Sequence, residues 1–296
     1  MLVTRRGGRL VLVTQPDHAA LAGRLAERWG NERFAIPAAR EALICAAEHH
    51  DDGWLELDGL PAYNAQAQRP AHFTELPLSE TVGPYGRGVE SVYDRDPHAG
   101  ALVGMHFSGF YTSRWGAGRR PPSHDPIARE VVATQEARWM PALREAWGYR
   151  GLRSGFDAAT WHAYEVLQAV DLLSLAIALI DLEQTADPGG EALDVAATLT
   201  NVDQPAGSRI VTSVPTTTGG EYREITLTPI APRRLELDPY PFGEPQIEVA
   251  VTVRELDDRP YPTAEQASDG FHAAQIGALT VTLVDSAPVR GGDAGS

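Results

Sequence analysis

The chain has 296 residues, of which 40 are acidic and 25 basic, for a formal charge of -15, with 43% hydrophobic and 22% charged residues. This is a soluble globular composition, long enough for one large domain or two closely packed ones, and its negative charge opposes binding to a polyanion, so nucleic acid is not an expected partner. All basic residues are arginines and Cys45 is the only cysteine, which excludes Schiff-base lysine chemistry, pyridoxal phosphate attachment, a P-loop lysine, intramolecular disulfides and thiolate-rich metal or cluster sites.

Residues 10 to 14 form a short β-prone run that Gln15-Pro16-Asp17 breaks, offering Asp17 as the N-cap of a helix. Leu21, Ala22 and Leu25 recur at helical spacing until Trp29-Gly30-Asn31 ends the pattern, which places His18 on the first turn. Pro37 suits a first helical position, and Leu43, Ala46, Ala47 and His50 form one stripe of a second helix. Residues 53 to 88, rich in Gly and Pro, read as a long connection with some helix. A third helix is expected from Pro97 toward Tyr111, a polar stretch over Gly116 to Pro126, and a helix from Ile127 to Trp147. The longest helical segment runs from Ala158 to about Glu183, with a stripe of Trp161, Tyr164, Leu167, Asp171, Leu175 and Ile180. After Asp187-Pro188-Gly189-Gly190, strand signals appear at Val195 to Thr200, Arg209 to Val214, Ile225 to Leu227, Gln246 to Arg254 and Ala278 to Val284, with a short helix over Phe271 to Ile276.

The longest apolar run, Leu172 to Ile180, stops at Asp181, short of the roughly 20 residues that span a bilayer. Leu10 to Val13 is too short for a signal-peptide core. A cytoplasmic protein without a membrane span is expected.

Gly83-Pro84-Tyr85-Gly86-Arg87-Gly88 has the glycines of a phosphate loop without its spacing or preceding strand, and Ser108 lacks a nucleophile-elbow context. The informative stretch is Glu48-His49-His50-Asp51-Asp52-Gly53-Trp54, imidazoles and carboxylates massed at the end of an apolar helix. Alone it reads equally as a polar helix terminus. His18 beside Leu21 and Leu25, His106 between Met105 and Phe107, and Asp171 between Val170 and Leu172 add ionisable groups on apolar faces. A carboxylate buried like Asp171 costs several kcal/mol unless compensated. Arg24 or Arg114 would do so as a structural ion pair; a divalent metal shared with His18, His50 and Asp51 would satisfy all the groups at once.

With His18, His50-Asp51 and Asp171 in this order, the sequence resembles the HD-domain superfamily, whose pattern is an early helical His, a His-Asp pair at a helix end and a distant Asp. The stretches Thr14-Gln15-Pro16-Asp17-His18, His49-His50-Asp51-Asp52-Gly53-Trp54 and Asp238-Pro239-Tyr240-Pro241-Phe242 are more closely similar to an uncharacterised bacterial family of domains of unknown function, numbered 3891, over roughly residues 2 to 285. The superfamily resemblance implies a first metal on His18, His50, Asp51 and Asp171. Some members hold a second, for which His98 and His106, eight residues apart on one helix and about 80° around it, are the expected ligands, with His124 in reserve. His50 is preferred to His49 because Gly53 then follows the His-Asp pair as in the superfamily, although Asp52 stands where that motif is usually apolar.

Imidazole and carboxylate donors without thiolate suit one or two ions of Fe, Mn, Co, Ni or Zn. Arg114, Arg119 and Arg120 are candidates to clamp a phosphate or carboxylate, or else form a solvated surface. Glu48, His49 and Asp52 are candidate acid or base groups, or orient ligands. The expectation is an α+β protein: a mostly helical HD-like metal-binding domain over 1–187, a β-rich region over 188–287 packed on it, and a flexible tail over 288–296. Its expected activity is hydrolysis of a phosphoester of a small anionic molecule by metal-activated water. The alternatives are a non-haem di-iron oxygenase and a non-catalytic ligand-binding or structural protein.

Overall fold

A computed structural model describes residues 1–112, 123–180 and 208–286. Its centre is a seven-stranded sheet in the order β1-β2-β8-β9-β7-β6-β5, built from β1 (Leu2–Arg6), β2 (Arg9–Val13), β5 (Arg209–Pro215), β6 (Tyr222–Ala231), β7 (Arg234–Asp238), β8 (Gln246–Asp257) and β9 (Ile276–Asp285). Neighbours are antiparallel except β7 and β9, which are parallel. A separate short hairpin joins β3 (Tyr63–Asn64) and β4 (Arg69–Pro70). Helices and a substantial sheet together make the protein α+β.

The run Leu10-Val11-Leu12-Val13 is apolar without alternation because β2 is buried on both faces. Val11 and Val13 face the main core, where Leu2 of β1 and Val249, Val251 and Val253 of β8 join them. Leu10 and Leu12 face a smaller core with Val3, Leu256, Tyr261 and Phe271. The sheet takes strands from both sides of residue 187, a junction outside the described residues, as are the strand expected at Val195 to Thr200 and the expected tail over 288–296.

Helices cover the main core face. α1 (Gln15–Arg28) packs on β8 and on α2 (Arg40–His49), and α7 (Arg153–Leu179) packs on α1, β1 and β5. Outside them lie α3 (Leu55–Gly59), α4 (Leu78–Arg95), α5 (Pro97–Thr112) and α6 (Pro126–Trp147), while α8 (Ala264–Ala273) contributes Phe271 to the smaller core. α7 is long and apolar enough to cross a membrane by length and composition, but 94% of its apolar window is buried inside the protein. Nearly every side chain from His162 to Leu179 is enclosed, and each fully buried Leu, Val or Ile stabilises by about 1.5–3 kcal/mol.

Several local expectations are corrected. Thr14, not Asp17, caps α1: its Oγ1 accepts from the Asp17 N–H, and Pro16 fits the first turn, where no backbone donor is needed. Pro37 lies before α2 rather than opening it. The connection over 53 to 88, expected to hold some helix, contains most of α4, whose buried face of Thr81, Pro84, Gly88, Val89 and Val92 keeps helical spacing with few apolar residues. α7 begins at Arg153 and its last turn ends before Ile180, and Trp161 is exposed rather than core. The late helix precedes Ala274, so Ile276 already belongs to β9.

Candidate metal centre

His18 on α1, His50 and Asp51 in the turn that follows α2, His106 on α5 and Asp171 on α7 meet in the interior, each at most 3% exposed. Their convergence follows from how the helices approach. At Gly23 an added Cβ would lie 2.8 Å from Cβ of Glu48, so a glycine allows α1 and α2 to cross closely, one carrying His18 and the other ending at His50. Asp96 terminates α4 and its Oδ1 accepts from the backbone N–H of His98 (2.7 Å) and Ala99 (3.0 Å), which fixes the start of α5 and so the placement of His106.

His18 Nε2 lies 2.9 Å from Asp51 Oδ2, and its Nδ1 3.0 Å from Ser174 Oγ. His50 Nε2 lies 3.4 Å from Asp171 Oδ1 and 3.7 Å from Asp51 Oδ2, and His106 Nε2 3.6 Å from Asp171 Oδ2. The rings stand edge to face, His18 to His50 at 5.2 Å and His50 to His106 at 5.4 Å between centroids. Outer hydrogen bonds set which nitrogen faces inward. The His50 Nδ1–H donates to the Ala47 carbonyl (3.0 Å). The Ser174 hydroxyl donates to the Asp171 carbonyl (2.7 Å), so its oxygen is left to accept from His18 Nδ1. Both imidazoles thus present Nε2 to the same space, the arrangement by which a second hydrogen bond orients a metal-binding histidine.

The electrostatics reflect crowding of carboxylates and imidazoles. Burial works against a charge on His50, but Asp51 and Asp171 outweigh it and raise its pKa from 6.5 to about 9. Burial alone would raise Asp171, yet hydrogen bonding and charge from His50, with His106 and His18, hold it down at about 2. Asp51 is likewise held below the ordinary carboxylate range by His50 and His18 against the effect of its burial. His106 is pushed down to about 4, mainly by burial.

The residues fit a cation. His18, His50 and Asp51 form one group, and His50, His106 and Asp171 another, with ligand atoms all within 4.8 Å of one another in each. Bonds of about 2.0–2.2 Å to nitrogen and oxygen, the range for zinc, put neighbouring donors roughly 3–3.5 Å apart. Asp51 Oδ1 is buried with no hydrogen-bond partner among the described residues, an uncompensated acceptor that a cation would satisfy. These buried groups can therefore hold a metal ion; their nitrogen and oxygen donors do not fix which.

The other expected site residues lie elsewhere. His98 packs on Phe156 and bonds Thr160 Oγ1 (2.9 Å), away from the cluster, because eight residues along a helix add about 12 Å of rise however well the angles agree. His124 is exposed at the start of α6, beside Arg129. His49 turns outward to Asp52 (3.0 Å), which also meets Arg95 (3.4 Å), and Glu48 approaches His49 at 3.8 Å; this network lies on the partly exposed side of α2. Arg24 reaches the carbonyl of Ala250 in the sheet, so among the described residues Asp171 is balanced by imidazoles and not by a guanidinium. Arg114, Arg119 and Arg120 lie outside the described residues.

Two participants carry no pattern readable in the sequence. Ser174 stands one helical turn after Asp171 and orients His18. Tyr85, on α4, stacks on Phe107 (4.9 Å between centroids) and meets Trp54 and Phe110 edge-on at 5.1 and 5.5 Å. Burial first, then the charges of Asp51 and Asp171, push its phenol well above its ordinary pKa.

A family model described as "Protein of unknown function (DUF3891)" matches residues 1–258, and the chain belongs to that family. None of the curated proteins and none of the solved structures matches the chain.

Proposed function

We propose that this member of the DUF3891 family is a metal-dependent hydrolase of HD type that cleaves a phosphoester of a small anionic molecule. The observation that carries the reading is the closed set of three imidazoles and two carboxylates, buried together and held in orientation by Ser174 and the Ala47 carbonyl. A divalent ion bound there would lower the pKa of a coordinated water and polarise a phosphoryl oxygen. His18, His50 and His106 would hold it through Nε2, and Asp51 and Asp171 through carboxylate oxygens. With one divalent ion, the two carboxylates leave the centre neutral overall, so an anionic substrate meets no net repulsion there.

The choice of hydrolysis over dioxygen chemistry rests on His50. It is common to both donor groups and its Nδ1 is engaged by Ala47. A single imidazole lone pair cannot bridge two cations, which favours one ion over a di-iron pair. The test is turnover of a panel of phosphomonoesters and phosphodiesters by protein reconstituted with Mn, Fe, Co, Ni or Zn. Metal-dependent hydrolysis that disappears in Asp171→Asn is expected, read as phosphate released from a monoester or as a monoester and an alcohol formed from a diester. Failure of every metal-loaded form on the panel, or oxygen uptake with two irons per chain, would contradict the reading.

A further inference from the structure

The turn that follows the His-Asp pair is jammed against α4. An added Cβ at Gly53 would lie 1.9 Å from the Pro84 carbonyl oxygen and 2.5 Å from the Gly88 nitrogen, and one at Gly88 would lie 3.2 Å from the carbonyl oxygen of His50. This backbone contact seats residues 84–88 on the loop that carries His50 and Asp51. Tyr85 lies within that stretch. Its ring is held by Phe107, Trp54 and Phe110, and the Phe110 ring touches His106 at 4.6 Å between centroids. The side chain therefore spans from the His50–Asp51 loop to the neighbour of His106, with its ring position fixed by these aromatic contacts. The ring is half-buried, and the indole N–H of Trp54 beside it has no acceptor among the described residues.

We propose that Tyr85 is a substrate-binding residue of this centre, its hydroxyl donating a hydrogen bond to an oxygen of a phosphoryl group held at the metal. The inference rests on the reading of the buried five as a metal centre and adds to it the group that recognises the anion. The chemistry fits what the site lacks. Among the described residues the ion-pair partners of the two carboxylates are imidazoles rather than arginines, and carboxylates only accept hydrogen bonds, so a substrate oxygen there needs a neutral donor such as the Tyr85 hydroxyl or the neighbouring Trp54 indole N–H. A phenol keeps its proton at neutral pH and serves as that donor, and an aromatic ring already packed on three sides loses little freedom on binding.

The test compares Tyr85→Phe with the full wild-type chain, both loaded with Mn²⁺, by calorimetric titration with inorganic phosphate. Stacking is unchanged in the variant, so its melting temperature and Mn²⁺ content should match wild type, while phosphate affinity falls about tenfold, the usual effect of losing a hydrogen bond to a charged group. Equal phosphate affinity in the two proteins overturns the role of Tyr85. So does wild-type protein that holds Mn²⁺ and binds no phosphate, and in both of these outcomes the metal reading stands. A wild-type chain that takes up no Mn²⁺ overturns the metal reading and this inference together.

Discussion

Ser174 receives the Nδ1–H of His18 while giving its own hydrogen to the Asp171 carbonyl, and so couples two proposed ligands without being one. Removing such an outer partner typically weakens metal binding 10–100-fold. Ser174→Ala is accordingly expected to fold normally and to bind Mn²⁺ at least about tenfold more weakly in a metal titration; unchanged affinity would show that His18 is oriented by packing alone. His72 is fully buried, its Nδ1 accepting from the Thr74 N–H. Burial, reinforced by the nearby α-ammonium of Met1, lowers its pKa from 6.5 to about 3. The folded state thus resists a proton that the unfolded chain accepts. Stability from this residue is intact above pH 6.5 and falls as pH drops from 6.5 toward 3, by up to about 1.4 kcal/mol per unit. His72→Asn keeps a capping acceptor without a titrating ring, so its denaturation midpoint should depend less on pH between 6.5 and 4 than that of wild type. Parallel pH profiles would refute this assignment.

Elements with a strong apolar period were legible: α1, α2, α5, α6 and α7 all lie where recurring Leu, Ala, Val and Ile place them. α4 was hidden because its buried face is made of Thr81, Pro84 and Gly88, residues that ordinarily mark turns, chosen here for close approach rather than apolar area. β1 was hidden by its brevity and by Arg5, Arg6 and the following glycines, and β7 by its five-residue length. In the centre, His18, His50, Asp51 and Asp171 could be singled out because each is ionisable on an apolar face. His98 misled because helical angle was weighed without rise, and Tyr85 and Ser174 had no signal because their placement depends on packing between helices. The contact of α4 with the 50–54 turn gives a direct test. Gly53→Ala forces a Cβ into the Pro84 carbonyl and Gly88 nitrogen. Overpacking of this kind costs about 1–3 kcal/mol, and here backbone, not a flexible side chain, must yield. Thermal unfolding should show a lowered midpoint with weakened metal uptake. A variant as stable as wild type would mean that α4 does not sit on the turn.

At the scale of the molecule, strands from the two ends of the chain share one sheet, and the helices that carry the buried donors pack on it through α1 and α7. The centre is therefore rigidly backed, with His18 and Asp171 on the two helices that touch the sheet, and a helical unit ending near residue 187 would lose the β8 and β5 surfaces on which those helices rest. The balance of charge is equally a property of the whole assembly, because among the described residues Asp51 and Asp171 are compensated by imidazoles gathered from three other positions in the chain. Elemental analysis of wild-type protein purified anaerobically, without chelator or metal-affinity tag, tests this most directly against the double variant His50→Ala, Asp51→Ala. A stoichiometric transition metal in the wild type and none in the variant is the predicted result. No metal in the wild type together with no rise in melting temperature on adding Mn, Fe or Ni, or equal metal in both proteins, would contradict it.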